Sequence, residues 1–118
     1  MSGRRFAWAL ESMRSGDPQS RENGFDFLRE HADTYVDELI AEFQKEEFQK
    51  EQGDHGLRCW LLELVAEARS AAALPLLASQ LEGDDEALQF WAIRGLEMLD
   101  SRDADQALHQ ARTNGWIA

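Results

Sequence analysis

Few residues in this chain have the chemistry to react. Three imidazoles, His31, His55 and His109, and one thiol, Cys59, are the side chains that could ligate zinc or pair as base and nucleophile. None of the histidines has the cysteine or carboxylate spacing of a zinc site, and none belongs to an H-E-x-x-H helix. They read as surface or cap residues. Cys59 lies in the apolar run "LRCWLLELVAEAR", so it reads as a buried thiol with no evident activating base, and one cysteine cannot close an internal disulfide. There is no glycine-rich phosphate loop and no G-x-S-x-G elbow. Carboxylates abound, but none stands out as a catalytic pair. The expectation is a protein with no catalytic residue, no metal and no cofactor.

Charge is the stronger signal. Twenty-three acidic against twelve basic residues give −11 over 118 residues, a balance that repels nucleic acid and anionic membrane and favours a basic protein partner. The acid is concentrated at Asp33, Asp37, Glu38, Glu42, Glu46, Glu47, Glu51 and Asp54, set against Lys45 and Lys50, and again in "EGDDE" at 82–86. No apolar run reaches membrane-spanning length, and "MSGRRFAWALESMRSG" holds too short an apolar stretch for a secretory signal. A cytoplasmic, single-domain protein over 1–118 is expected.

Helical spacing runs throughout, so the fold class is all-α, with about seven helices. The first, about 4–14, carries Phe6, Leu10 and Met13. "GDP" ends it, with Asp17 as cap and Pro18 opening a second helix to about His31, its face Phe25, Leu28 and Ala32. Asp33 or Thr34 can cap a third, acidic helix within 33–52 whose stripe is Val36, Leu39, Ile40 and Phe43. "GDHG" at 53–56 reads as a break before the helix of "LRCWLLELVAEAR". Ser70 caps the next, with Leu74, Leu77, Ala78 and Leu81; 86–99 and a helix with Ala104, Ala107, Leu108 and Ala111 complete the set.

"LRCWLLELVAEAR" at 57–69 is matched 31 residues on by "LQFWAIRGLEMLD" at 88–100, Leu57 with Leu88, Trp60 with Trp91, Val65 with Leu96. Apolar groups on more than one side of such a helix call for neighbours on more than one side, as stacked helix pairs provide. The pattern resembles HEAT repeats, in the short form of phycobilin lyases and many small bacterial proteins. Leu57, Arg58, Leu61, Leu64, Val65 and Ala68 match the first helix of a unit, and Ala73, Pro75, Leu77 and Leu81 its partner. Leu88, Ala92, Gly95, Leu96 and Leu99 with Ala104 and Leu108 match a second unit, with Gln89 where an arginine is usual. Residues 24–43 match a third, degraded unit at a shift of 38.

The resemblance implies a short right-handed α-solenoid of antiparallel helix pairs. Residues 1–32 would form N-terminal helices, 33–52 the acidic helix, and 54–118 two units and a cap made by Gly115, Trp116 and Ile117. It also implies that Arg58 braces a neighbouring unit, with Glu63 or Asp85 as acceptors, and that second helices line a binding surface: Asp37, Glu38 and Glu42, then Ser79 and Gln80, then Gln110.

"FQKEEFQKEQ" at 43–52 adds Glu46, Glu47 and Phe48 to that surface. The core stripe would continue through 46, 47 and 50, where charge stands instead, and Phe48 lies about 140° around the helix from Phe43. An aromatic there is either a contact site or folds back onto the first helices. Asp84 and Asp85 complete the candidate partner-binding set. A small, strongly acidic protein of this kind is similar to immunity proteins that neutralise cationic, nuclease-like toxins. Such a protein binds and blocks a basic partner. The alternative is a HEAT-like scaffold or accessory subunit assisting a lyase or an assembly process.

Overall fold

The computed structural model describes residues 2–118; Met1 lies outside them. Among the described residues the chain is all-α: α1 (Ser2–Met13), α2 (Pro18–Glu30), α3 (Val36–Phe48), α4 (His55–Glu67), α5 (Leu74–Leu81), α6 (Glu86–Leu99) and α7 (Arg102–Thr113). No helix of the described chain is long and apolar enough to cross a membrane.

Side-chain caps set most of the starts. Asp17 accepts from Ser20 N, Asp54 from Leu57 N, Asp85 from Ala87 and Leu88 N, and Ser101 from Ala104 N. Each satisfies amide donors that the first turn leaves without partners, worth about 1 kcal/mol. Three boundaries differ from the sequence reading. Neither Asp33 nor Thr34 caps α3: the Asp33 carboxylate accepts from Thr34 N at 3.0 Å, inside a turn, and the helix begins after Tyr35 with no side-chain cap. α3 stops at Phe48, short of 52. "GDHG" is no break, because Asp54 is the cap and His55 and Gly56 form the first turn of α4, where glycine costs little.

Helices α1 and α2 form a hairpin, α4 lies between α3 and α6, and α7 packs on both α5 and α6. The core runs through all of them, from Ala9, Leu28, Leu39 and Phe43 to Leu61, Val65, Leu77, Leu96 and Ala111, each with almost no exposed surface. α2 joins α4 by stacking Phe25 on Trp60, ring centroids 4.7 Å apart. Trp91, at the matching position of α6, has the ring of its own neighbour Phe90 edge-on at 5.0 Å.

The 31-residue period extends well beyond the two apolar stretches. Asp54 and Asp85 are both N-caps, Arg69 and Asp100 both take a left-handed φ near 50° just past a helix end, and Ser70 and Ser101 both cap the next helical segment. Leu57, Leu61, Val65, Ala73 and Leu77 are buried, and so are Leu88, Ala92, Leu96, Ala104 and Leu108. A feature of α4 can therefore be compared with its counterpart in α6. One departure is that Ser70 opens a 3₁₀ turn, Ala71–Ala73, before α5, whereas Ser101 opens α7 directly.

After α7, Gly115 (φ +77°) closes a Schellman motif, Trp116 N donating to Ala111 O at 2.9 Å and Gly115 N to Arg112 O at 3.1 Å. Ile117 packs against the core, as the reading of a C-terminal cap expects.

Candidate binding surface

Two arginines take up most of the acid on α3. Arg14, just past α1, donates to Glu42 at 2.7 Å and also to Glu46. Arg58 on α4 is buried, 7% exposed, and turns its Nε toward Glu47 Oε2 at 3.5 Å, just outside hydrogen-bond reach. Its Nη1 donates to the Lys50 carbonyl at 3.3 Å. Glu42, Glu46 and Glu47, expected to face a partner, thus fasten α3 to the N-terminal hairpin and to α4.

The brace on Arg58 differs from expectation in the same way. Its hydrogen-bond acceptor is the Lys50 carbonyl in the turn after α3, and the carboxylate beside it is Glu47, rather than Glu63 or Asp85. Gln89, at the equivalent position of α6, donates to Leu81 O at 2.9 Å, as Arg58 does to Lys50 O: each reaches the carbonyl eight residues before it. Gln89 also donates to Gly83 O and Trp116 O. The acceptors of this neutral amide are all backbone carbonyls, with no carboxylate among them.

Asp85 is likewise occupied. Besides capping α6 it holds His55 Nε2 at 2.7 Å, joining the starts of α4 and α6. Burial would raise its pKa; the Leu88 amide and the His55 imidazole outweigh that and hold it below the ordinary 3.8. Cys59 Sγ lies 3.7 Å and 3.9 Å from the two ring nitrogens of His55, an approach that the sequence hides because "GDHG" has the composition of a break. The i, i+4 spacing was the available clue. Burial and then the Asp85 charge push the thiol above its ordinary 9.0, so it stays protonated at neutral pH, and the nearer nitrogen is already bonded to Asp85. The group ties two helices together without generating a thiolate. No cluster of three metal-ligating side chains occurs among the described residues.

No family model, curated protein or solved structure matches the chain. Any functional reading therefore rests on the residues themselves.

Of the expected partner-binding set, Asp37, Glu38, Phe48, Ser79, Asp84 and Gln110 are exposed, and Gln80 is half-buried. The Ser79 hydroxyl is turned inward, donating to Leu76 O at 2.6 Å. Phe48 is 90% exposed, the most open large apolar side chain described, so it does not fold back onto the first helices. On α3 the exposed residues Asp37, Ala41, Gln44 and Phe48 recur at i, i+4, i+7 and i+11 and so share one outward line about 16 Å long. Glu38 and Lys45 flank it.

Glu63 on α4 also titrates away from its ordinary value. Burial raises its pKa above the ordinary 4.5, opposed by Arg29 and helped by Glu67. A carboxyl whose folded value is raised binds its proton more tightly when folded, so it costs stability once pH climbs through 4.5 and beyond. Glu63→Gln should raise the stability slightly at pH 7, by less than about 1 kcal/mol given its partial exposure, with the gain vanishing near pH 4. A gain independent of pH would mean that the charge is not its cause.

Proposed function

We propose that this chain is a non-catalytic protein-binding module whose α3 face engages a basic protein, and specifically that it acts as an immunity protein covering a cationic toxin domain. The carrying observation is Phe48, an aromatic 90% exposed at one end of a helix face whose other end bears Asp37 and Glu38. Holding such a side chain in water is unfavourable, and interface energy concentrates in aromatic anchors surrounded by polar residues. The net charge of −11 supports attraction of a basic surface and fast association. The packing of α4 beside α6 and of α5 beside α7 supports the stacked-pair reading, with the 3₁₀ turn before α5 touching α3.

The internal bridges sharpen the reading. With Glu42, Glu46 and Glu47 committed to Arg14 and Arg58, the charge free to steer a partner along α3 lies at its N-terminal end, and the apolar anchor at its C-terminal end.

Affinity capture from the native organism at low and high salt, read by mass spectrometry, should return one basic toxin-like protein held in a salt-sensitive way. Phe48→Ala should weaken that complex at least tenfold, mainly through faster dissociation, and reversing Asp37 and Glu38 to lysine should slow association most at low salt. Phe48→Ala should melt like the wild type, since the side chain is exposed, and the double reversal should cost no more than about 1–2 kcal/mol, because both carboxylates sit in the first turn of α3. Undiminished affinity for either would remove α3 from the interface. Recovery of neutral partners alone would replace neutralisation with scaffolding.

A further inference from the structure

The 31-residue correspondence between α4 and α6 also identifies a second surface, distinct from the Phe48 face. α4 meets α6 along one ridge, His55, Cys59, Leu62 and Ala66, at i, i+4, i+7 and i+11. His55 holds Asp85 at the start of α6, and Ala66 comes so close that a Cβ on Gly95 would lie 3.0 Å from its own. Leu62, between them, is fully buried. Moved 31 residues on, this ridge becomes Glu86, Phe90, Ile93 and Glu97 on α6. There Phe90 is 54% exposed, Ile93 half-buried, and both glutamates exposed.

We propose that this face of α6 receives an amphipathic helix of a basic protein partner. The ridge has the spacing with which α4 already seats a helix, and an apolar centre between charged ends has the anatomy of a helix-docking surface. Its chemistry has shifted in one direction: an imidazole and a methyl on α4 are replaced by two carboxylates, and a thiol by a phenyl ring. At Glu97 the long side chain denies the close approach that Ala66 allows Gly95, so an incoming helix stands further off and meets the carboxylates with lysine or arginine side chains. Arg94 beside the ridge leaves it net acidic. A second copy of a chain carrying −11 would be repelled.

The test is an amide NMR titration of the whole protein with a synthetic helical peptide bearing a leucine ridge flanked by lysines, and with its counterpart flanked by glutamates. The lysine peptide should shift amides across 86–97, less so at high salt, and Phe90→Lys should weaken it at least tenfold while melting as the wild type does. The glutamate peptide should leave the spectrum unchanged. The inference is overturned by equal binding of the two peptides, by shifts confined to α3 around Phe48, by no shift at millimolar peptide, or by self-association of the free protein that Phe90→Lys abolishes. Loss of Phe48 leaves this titration unaffected, so its outcome is separable from that of the α3 reading.

Discussion

Leu77→Ala should cost about 3 kcal/mol, lowering the melting temperature on the order of 10 °C, and adding Ala at Gly95 should return part of that loss. Leu77 is 1% exposed and its two methyl carbons lie 2.9 and 3.1 Å from where a Cβ on Gly95 would stand. Gly95 is thus the slot into which the Leu77 side chain fits, and the missing Cβ is what lets α5 press against α6. In the wild type, Gly95→Ala would gain about 1 kcal/mol of helix propensity but lose about 1–3 kcal/mol to overpacking. Once Leu77 is truncated, the new methyl enters vacated space, with Ala66 Cβ still near at 3.0 Å. The two changes should therefore couple by about 1–2 kcal/mol in a double-mutant cycle measured by urea unfolding. Strict additivity would show that Leu77 does not rest on Gly95.

Burial patterns of this kind were legible in the sequence. The stripes Phe6–Leu10–Met13 and Phe25–Leu28–Ala32, the caps Asp17 and Ser70, and the 31-residue match all arise from helical spacing and local cap chemistry, and each appears in the structure. Phe48 was legible only in part: its spacing takes it off the core stripe, but the sequence leaves a contact site and a fold-back onto the first helices equally open, and the structure exposes it. Ion pairing was not. Arg14 meets Glu42 and Glu46 from 28 and 32 residues away, and no periodicity distinguishes those carboxylates from solvated ones. The placement of His55 was hidden for a different reason. Glycines at 53 and 56 suggested a break, but Asp54 supplies the cap that lets a helix start there, and the bridge to Asp85 is then a consequence of the stacking of α4 on α6. Gln89 shows the converse case: it departs from the expected arginine in type, yet keeps the role of holding the preceding carbonyl.

Gly24→Ala should be the most damaging single methyl addition in the molecule, and its damage should be confined to one end. A Cβ at Gly24 would run into the carbonyl oxygen of Ala9, with Ser12 Cβ at 3.0 Å and Met13 Cγ at 3.1 Å. Two of these are side chains that can adjust a little, but the carbonyl belongs to the backbone of α1, so the helix itself must move. The cost expected is about 1–3 kcal/mol after a propensity gain of about 1 kcal/mol. Displacing α1 would also disturb the edge-on Trp8–Phe27 pair, centroids 5.7 Å apart, and the Arg14 bridges to α3. Hydrogen exchange should then accelerate across α1 while α4, α6 and α7 keep their protection, and the aromatic circular dichroism should change. Gly3→Ala is the control: it lies in α1, the helix that Gly24 packs against, with nothing within 4 Å of the added carbon, and should leave stability unchanged or slightly raised. If Gly24→Ala proved as silent as Gly3→Ala, the close crossing of α1 and α2 would have to be abandoned, and with it the explanation of why a glycine occupies the middle of a buried helix face.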